Sequence, residues 1–197
     1  MAALWETAVA LSLPVFPCLA NKKPSIPKAH GGNGFKDATT AARQIRDMFR
    51  AYPASTLIGV PTGAIIGLDI LDLDPAKHPV EVREWVAQNK SRMPATRAHR
   101  THSGGLHYVF EHLDGLKGWT ATPTLGIDGR ADGGYVIWWP AAGYPTNGRK
   151  ISRWPEALVQ QFVKKSPTLA KPRPIPRINK PRLERIVRKV ALASNGE

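Results

Sequence analysis

The stretch LDILDLDP, Leu68 to Pro75, sets three carboxylates inside an otherwise apolar run. Leu68, Ile70, Leu71 and Leu73 have the composition of a buried strand. A buried carboxylate is costly unless it is hydrogen-bonded, paired or bound to a metal, so the acids need an explanation. Alternate side chains of a strand share a face. Asp72 and Asp74 therefore point the same way, with Cβ atoms about 6.7 Å apart, twice the rise per residue. Two carboxylates on one surface repel unless a cation lies between them, and hard oxygen donors favour Mg²⁺ or Mn²⁺ over Zn²⁺. The competing reading is that Asp74-Pro75 only opens a turn. Asp69 has the opposite parity and is expected to be structural, paired with an arginine.

Working outward, residues 3–12 read as a helix and LPVFPCL as a short edge strand held there by its prolines. ATTAARQIRDMFRAYP places Ala42, Ile45, Met48 and Phe49 on one helical face. STLIGVPTGAIIGLDILDLD is two β-rich runs broken by PTG, a hairpin or tight loop. PVEVREWVAQNKSRM is a helix with Val82, Trp85 and Val86 inward. Antiparallel strands are expected in TRAHRTHSGGLHYVFEH and in GIDGRADGGYVIWWP, the latter ending in YVIWW, before a short helix at 155–165. Helices early and a mostly antiparallel sheet afterwards define an α+β fold.

At 197 residues the chain can hold one sizeable domain or two small lobes. One cysteine, Cys18, excludes an internal disulfide and suits a reducing, cytoplasmic setting. The N-terminus carries Glu6 and lacks a basic segment, unlike a signal peptide, and no apolar run approaches membrane-spanning length. Net charge is +13. From Lys164 to Glu197 there are ten Lys and Arg against two acids, a net +8, which suits a polyanion or a solvated tail. The expected organisation is a catalytic domain at 1–165, a proline-rich basic linker at 166–181 and the start of a helical segment at 182–197.

Two further stretches complete a candidate site. In THSGGLHYVF, Gly104 and Gly105 allow the backbone to approach a phosphate, Ser103 and the amides donate hydrogen bonds, and His107 heads a strand within reach of a triphosphate; the competing reading is a plain hairpin turn with a structural histidine. In GIDGRADGGY, Asp128 begins another strand. Three carboxylates on neighbouring strands, Asp72, Asp74 and Asp128, make a two-metal site for phosphoryl or nucleotidyl transfer. Asp132, before Gly-Gly, reads as a turn residue. His99 and His102 lack the companion spacing of a zinc site.

In order, PVFPCLANKKP, GFKDATT, IGVPTGAIIGLDILDLDP, THSGGLHYVF and GIDGRADGGYVIWWPAAGY resemble the N-terminal primase–polymerase domain of bifunctional DNA primase/polymerases, within the archaeo-eukaryotic primase superfamily. The likeness spans roughly residues 5–155. It implies an RRM-like catalytic sheet beside a small N-terminal α/β lobe. It also implies that Asp72, Asp74 and Asp128 bind two Mg²⁺ or Mn²⁺ ions, and that Ser103 and His107 hold the incoming nucleotide. Arg130 would face nucleotide or template. Lys22, Lys23 and Lys36 are expected along the DNA path. Nucleoside triphosphates and single-stranded DNA, as template and primer, are the implied partners, in plasmid, phage or prophage-type replication. RLERIVRKVALASNGE resembles the start of the helical segment that precedes a helicase in longer members, and this piece is expected to be a monomer. The sequence departs from the family at Ile66, where Ser is frequent, at Gly129, where an apolar residue is usual, and at Ala141. Two other classes are a non-catalytic single-strand or origin-binding module using the tail and Trp138 or Trp139, and a metal-dependent nuclease.

Overall fold

The computed structural model describes residues 3–163; the expected linker at 166–181 and helical run at 182–197 lie outside the described residues. Among the described residues, four α-helices and seven strands follow one another as α1 (Leu4–Ala10), β1 (Phe16–Cys18), α2 (Ala42–Ala51), β2 (Leu57–Pro61), β3 (Leu68–Leu73), α3 (Pro79–Asn89), β4 (Ala98–Arg100), β5 (Leu106–Glu111), β6 (Ile127–Arg130), β7 (Tyr135–Ile137) and α4 (Glu156–Val163). The strands form two antiparallel sheets, ordered β1-β2-β7 and β4-β5-β3-β6. Helices with antiparallel sheets make this an α+β fold.

The PTG break is a tight loop and not a hairpin, because β2 and β3 belong to different sheets. Pro17 lies on β1, an edge strand, where a residue without an N–H is tolerated. The stretch YVIWW does not remain a strand to its end. β7 stops at Ile137, and Trp139–Ala142 is a 3₁₀ turn that contains Pro140, which has no N–H to continue a ladder.

Each face of β3 has its own task. Leu71 and Leu73 are buried with Phe110 and Ile127 beneath α3 and α4, which supply Val82, Trp85, Leu158 and Phe162. Two aromatic stacks thicken that layer, Phe110 on Trp154 at 4.1 Å and Trp119 on Phe162 at 4.4 Å between ring centroids. On the other face, Ile70 and Val109 pack with Val136 of β7 and with Trp138 and Ile151. The second sheet thus leans on one end of that face, and the end carrying Asp72 lies outside the apolar clusters. A separate cluster seats α1 and α2 on the three-stranded sheet through Ala8, Ile45, Phe49, Ile58 and Val60.

Asp69 is fully buried, but its partner is not an arginine. Its carboxylate accepts from His112 Nδ1 at 2.8 Å, the Leu113 amide at 2.9 Å and the Trp154 indole at 3.0 Å. Three donors satisfy the buried acid. His112 Nε2 in turn faces Asp132 Oδ1 at 3.6 Å, and the same oxygen accepts from the Ala64 amide at 3.0 Å. Asp132 is a turn residue that also ties two loops together.

Candidate active site

Strand register assembles the site. Asp72 stands directly opposite His107 on β5 and opposite Asp128 on β6, while His107 stands opposite His99 on β4. Opposed residues of antiparallel strands project to the same face with Cβ atoms about 5 Å apart. His99, His107, Asp72 and Asp128 therefore form one row across four strands. His107 Nε2 lies 3.5 Å from Asp72 Oδ1. Asp74 follows β3, shares the parity of Asp72, and is held in line by its amide, which donates to the Gly126 carbonyl at 2.9 Å.

The electrostatics follow from burial and crowding. The Asp72 carboxyl is pushed up to about 6, mainly by burial; Arg130 and Lys22 work against the rise, and Asp128 and Asp74 add to it. His107 is lowered to about 3 by burial, with His99, Lys22 and Arg130 adding to the effect. His99 is lowered to about 4, again mainly by burial. Both imidazoles are neutral at pH 7, so each offers one donor and one acceptor nitrogen.

Asp128 already has two partners. Its Oδ2 lies 2.8 Å from Arg130 Nη2 and its Oδ1 accepts from the Ala121 amide at 2.8 Å. The Asp74 Oδ1 accepts from the Ala76 amide at 3.3 Å. Among the described residues, no three acid, imidazole or thiol side chains are already drawn together as a metal cluster. The donor chemistry nevertheless fits a hard divalent cation. Three carboxylates share one neighbourhood; burial is the larger cause of the raised Asp72, and the smaller part that Asp128 and Asp74 add is what such a cation relieves.

The glycine turn has two separable parts. Gly104 takes φ 82, and a side chain there would meet nothing within 4 Å, so the turn leaves an open backbone surface. Gly105 serves packing, since a Cβ would lie 2.2 Å from the Leu73 carbonyl oxygen. The Ser103 hydroxyl is exposed and hydrogen-bonds Thr101 at 3.2 Å. Of the lysines, Lys22, Lys23 and Lys36 are all exposed, but only Lys22 acts on Asp72 and His107.

Sequence reasoning missed His99, which was weighed only as a zinc ligand. A turn centred on Ser103 pairs position 99 with 107, so the signal lay in the symmetry of HRTHSGGLH. The Ala121 amide had no signal at all. The family departure at Gly129 has a local cause: a Cβ there would lie 2.3 Å from the Trp119 ring, which closes over the strand.

The sheet thus carries an acid–imidazole row beside an open glycine turn. The chain belongs to the bifunctional DNA primase/polymerase family, whose N-terminal domain it matches over residues 6–176. No curated protein matches the chain. No helix among the described residues is long and apolar enough to cross a membrane.

Proposed function

We propose that this domain is a template-directed nucleotidyltransferase that starts and extends primers on single-stranded DNA, in plasmid, phage or prophage-type replication with a helicase on its C-terminal side. The observation that carries this reading is the register placing Asp72 between His107 and Asp128. In the reaction a 3′-hydroxyl oxygen bonds to the α-phosphorus of a nucleoside triphosphate while the bond to pyrophosphate breaks, and the hydroxyl proton passes to solvent.

Asp72, Asp74 and Asp128 would hold two Mg²⁺ or Mn²⁺ ions. Such ions supply Lewis-acid stabilisation of the charge on the entering and leaving oxygens. The chain's own contribution is positioning. Neutral His107 donates one hydrogen bond to a phosphate oxygen without needing to be charged inside a buried row. Ser103 and the open backbone at Gly104 offer further donors to the triphosphate. Arg130, which pairs with Asp128, would offer its remaining donors to a phosphate oxygen.

The test is incorporation of labelled nucleotide on single-stranded DNA with Mg²⁺ or Mn²⁺, with and without a primer, by the native chain and by Asp72→Ala/Asp74→Ala. Product requiring both acids supports a polymerase, and product without a primer makes it a primase. Loss of labelled DNA without triphosphates would identify a nuclease. No product, with DNA binding unchanged in the variant, would leave a binding module.

A further inference from the structure

Lys22 differs from the other surface lysines in its backbone, in what its side chain rests on and in what surrounds it. Its φ is 69, in the left-handed region that a residue with a Cβ enters at a cost and that recurs at ligand sites. The turn is closed on both sides: the Lys22 amide donates to the Leu19 carbonyl at 2.8 Å, and the Leu19 amide to the Lys23 carbonyl at 2.9 Å. From the first residue of β7, the Tyr135 hydroxyl donates to the Lys22 carbonyl at 3.1 Å. The backbone conformation is thus fixed from a second element.

The side chain is also placed. The ammonium lies 5.5 Å from the centroid of the Trp139 ring, a cation–π contact that limits its excursions into solvent. The same Trp139 ring stacks with His102, next to Ser103, at 6.0 Å between ring centroids, and the Lys22 charge is felt at both Asp72 and His107. Arg130, the other cation acting on these groups, is already engaged with Asp128. Among the described residues, no carboxylate lies within salt-bridge distance of Lys22. A pre-set ammonium with no partner, facing a site for phosphates, is a point-charge phosphate binder.

We propose that Lys22 contacts substrate, its ammonium taking a phosphate oxygen of the nucleoside triphosphate and not of the DNA strand. This rests on the nucleotidyltransferase reading and removes Lys22 from the strand path expected for it alongside Lys23 and Lys36. An ammonium resting on Trp139, the ring that also stacks with His102 beside Ser103, belongs with the turn expected to hold the triphosphate. A contact to the strand backbone needs no such proximity to the turn.

Two variants of the full chain separate the possibilities. Lys22→Asn removes the charge but keeps a residue that tolerates the left-handed turn, and Lys22→Arg keeps the charge. Binding of a non-hydrolysable nucleoside triphosphate in Mn²⁺, and of single-stranded DNA across a salt series, would be measured beside the thermal midpoint. Lys22→Asn is expected to weaken triphosphate binding about tenfold, the scale of one lost charged hydrogen bond. Nucleoside monophosphate binding, DNA affinity, its salt slope and the melting point should not change, and Lys22→Arg should recover most of the loss. Tyr135→Phe, which frees the Lys22 carbonyl, should weaken the triphosphate about two- to threefold.

Unchanged triphosphate binding, with weaker DNA binding and a salt slope reduced by about one phosphate contact, would make Lys22 a strand contact and overturn the proposal. A lowered melting point that accounts for the whole loss would reduce it to a turn residue. A native chain that incorporates nucleotide while Lys22→Asn binds triphosphate normally would sink the Lys22 assignment alone. A native chain that binds no triphosphate would sink the nucleotidyltransferase reading with it.

Discussion

At position 129 the lack of a side chain lets Trp119 close over β6 between Asp128 and Arg130. Restoring an apolar residue, as in Gly129→Val, should destabilise the domain by about 1–3 kcal/mol through overpacking. Urea unfolding would show it, and Trp119→Leu in the same chain should recover part of the loss. Asp69 is the second sensitive position. Asp69→Ala leaves His112, the Leu113 amide and the Trp154 indole without their acceptor. The expected cost is about 3 kcal/mol, the scale of breaking a buried charged network, read from the urea midpoint. The parity of Asp69 was legible because strand periodicity is local. Its partners were not, because His112 and Trp154 lie 43 and 85 positions away and no local pattern encodes such a meeting.

Among the elements, β3, α2 and α3 were readable from apolar spacing, and the opposite faces of Asp69 and Asp72 from the parity of β3. Sheet membership was not readable. The runs around PTG look like partners, yet they enter different sheets, since pairing is decided by which faces bury together. The β4–β5 hairpin carries a pH-dependent consequence. His99 titrates near 4 in the folded chain against an ordinary value of 6.5. Between those values the unfolded chain binds the proton and the folded chain does not, so stability falls as the pH drops through this window. His107 acts in the same direction, while Asp72, raised to about 6, acts in the opposite one. Comparing variants isolates His99: the drop in urea midpoint from pH 6.5 to pH 4 should be smaller in His99→Phe than in the native chain.

At the scale of the molecule, charge is divided between a moderately basic body and a strongly basic end. The net +8 of residues 164–197 compares with +13 for the whole. If that end grips single-stranded DNA, replacing Lys171, Arg173, Arg177 and Lys180 with Gln should flatten the plot of log affinity against log salt by about 3, from roughly 0.7 per phosphate contact. The loss should be the same for every DNA sequence. An unchanged slope would assign those charges to solubility. Composition made the charge division plain, but whether the basic end meets DNA is a matter of reach that composition does not encode.

β3 is read in two frames at once: one set of residues faces the carboxylate row, and the alternate set faces the oil beneath α3 and α4. Deleting a single residue from it would carry Asp72 to the dry side and a leucine to the wet one. No variant of that kind fails by degrees. A chain that loses the acid's placement in this way also loses the layer that holds the sheet together, so misplacement of Asp72 is reported by solubility before any assay is run.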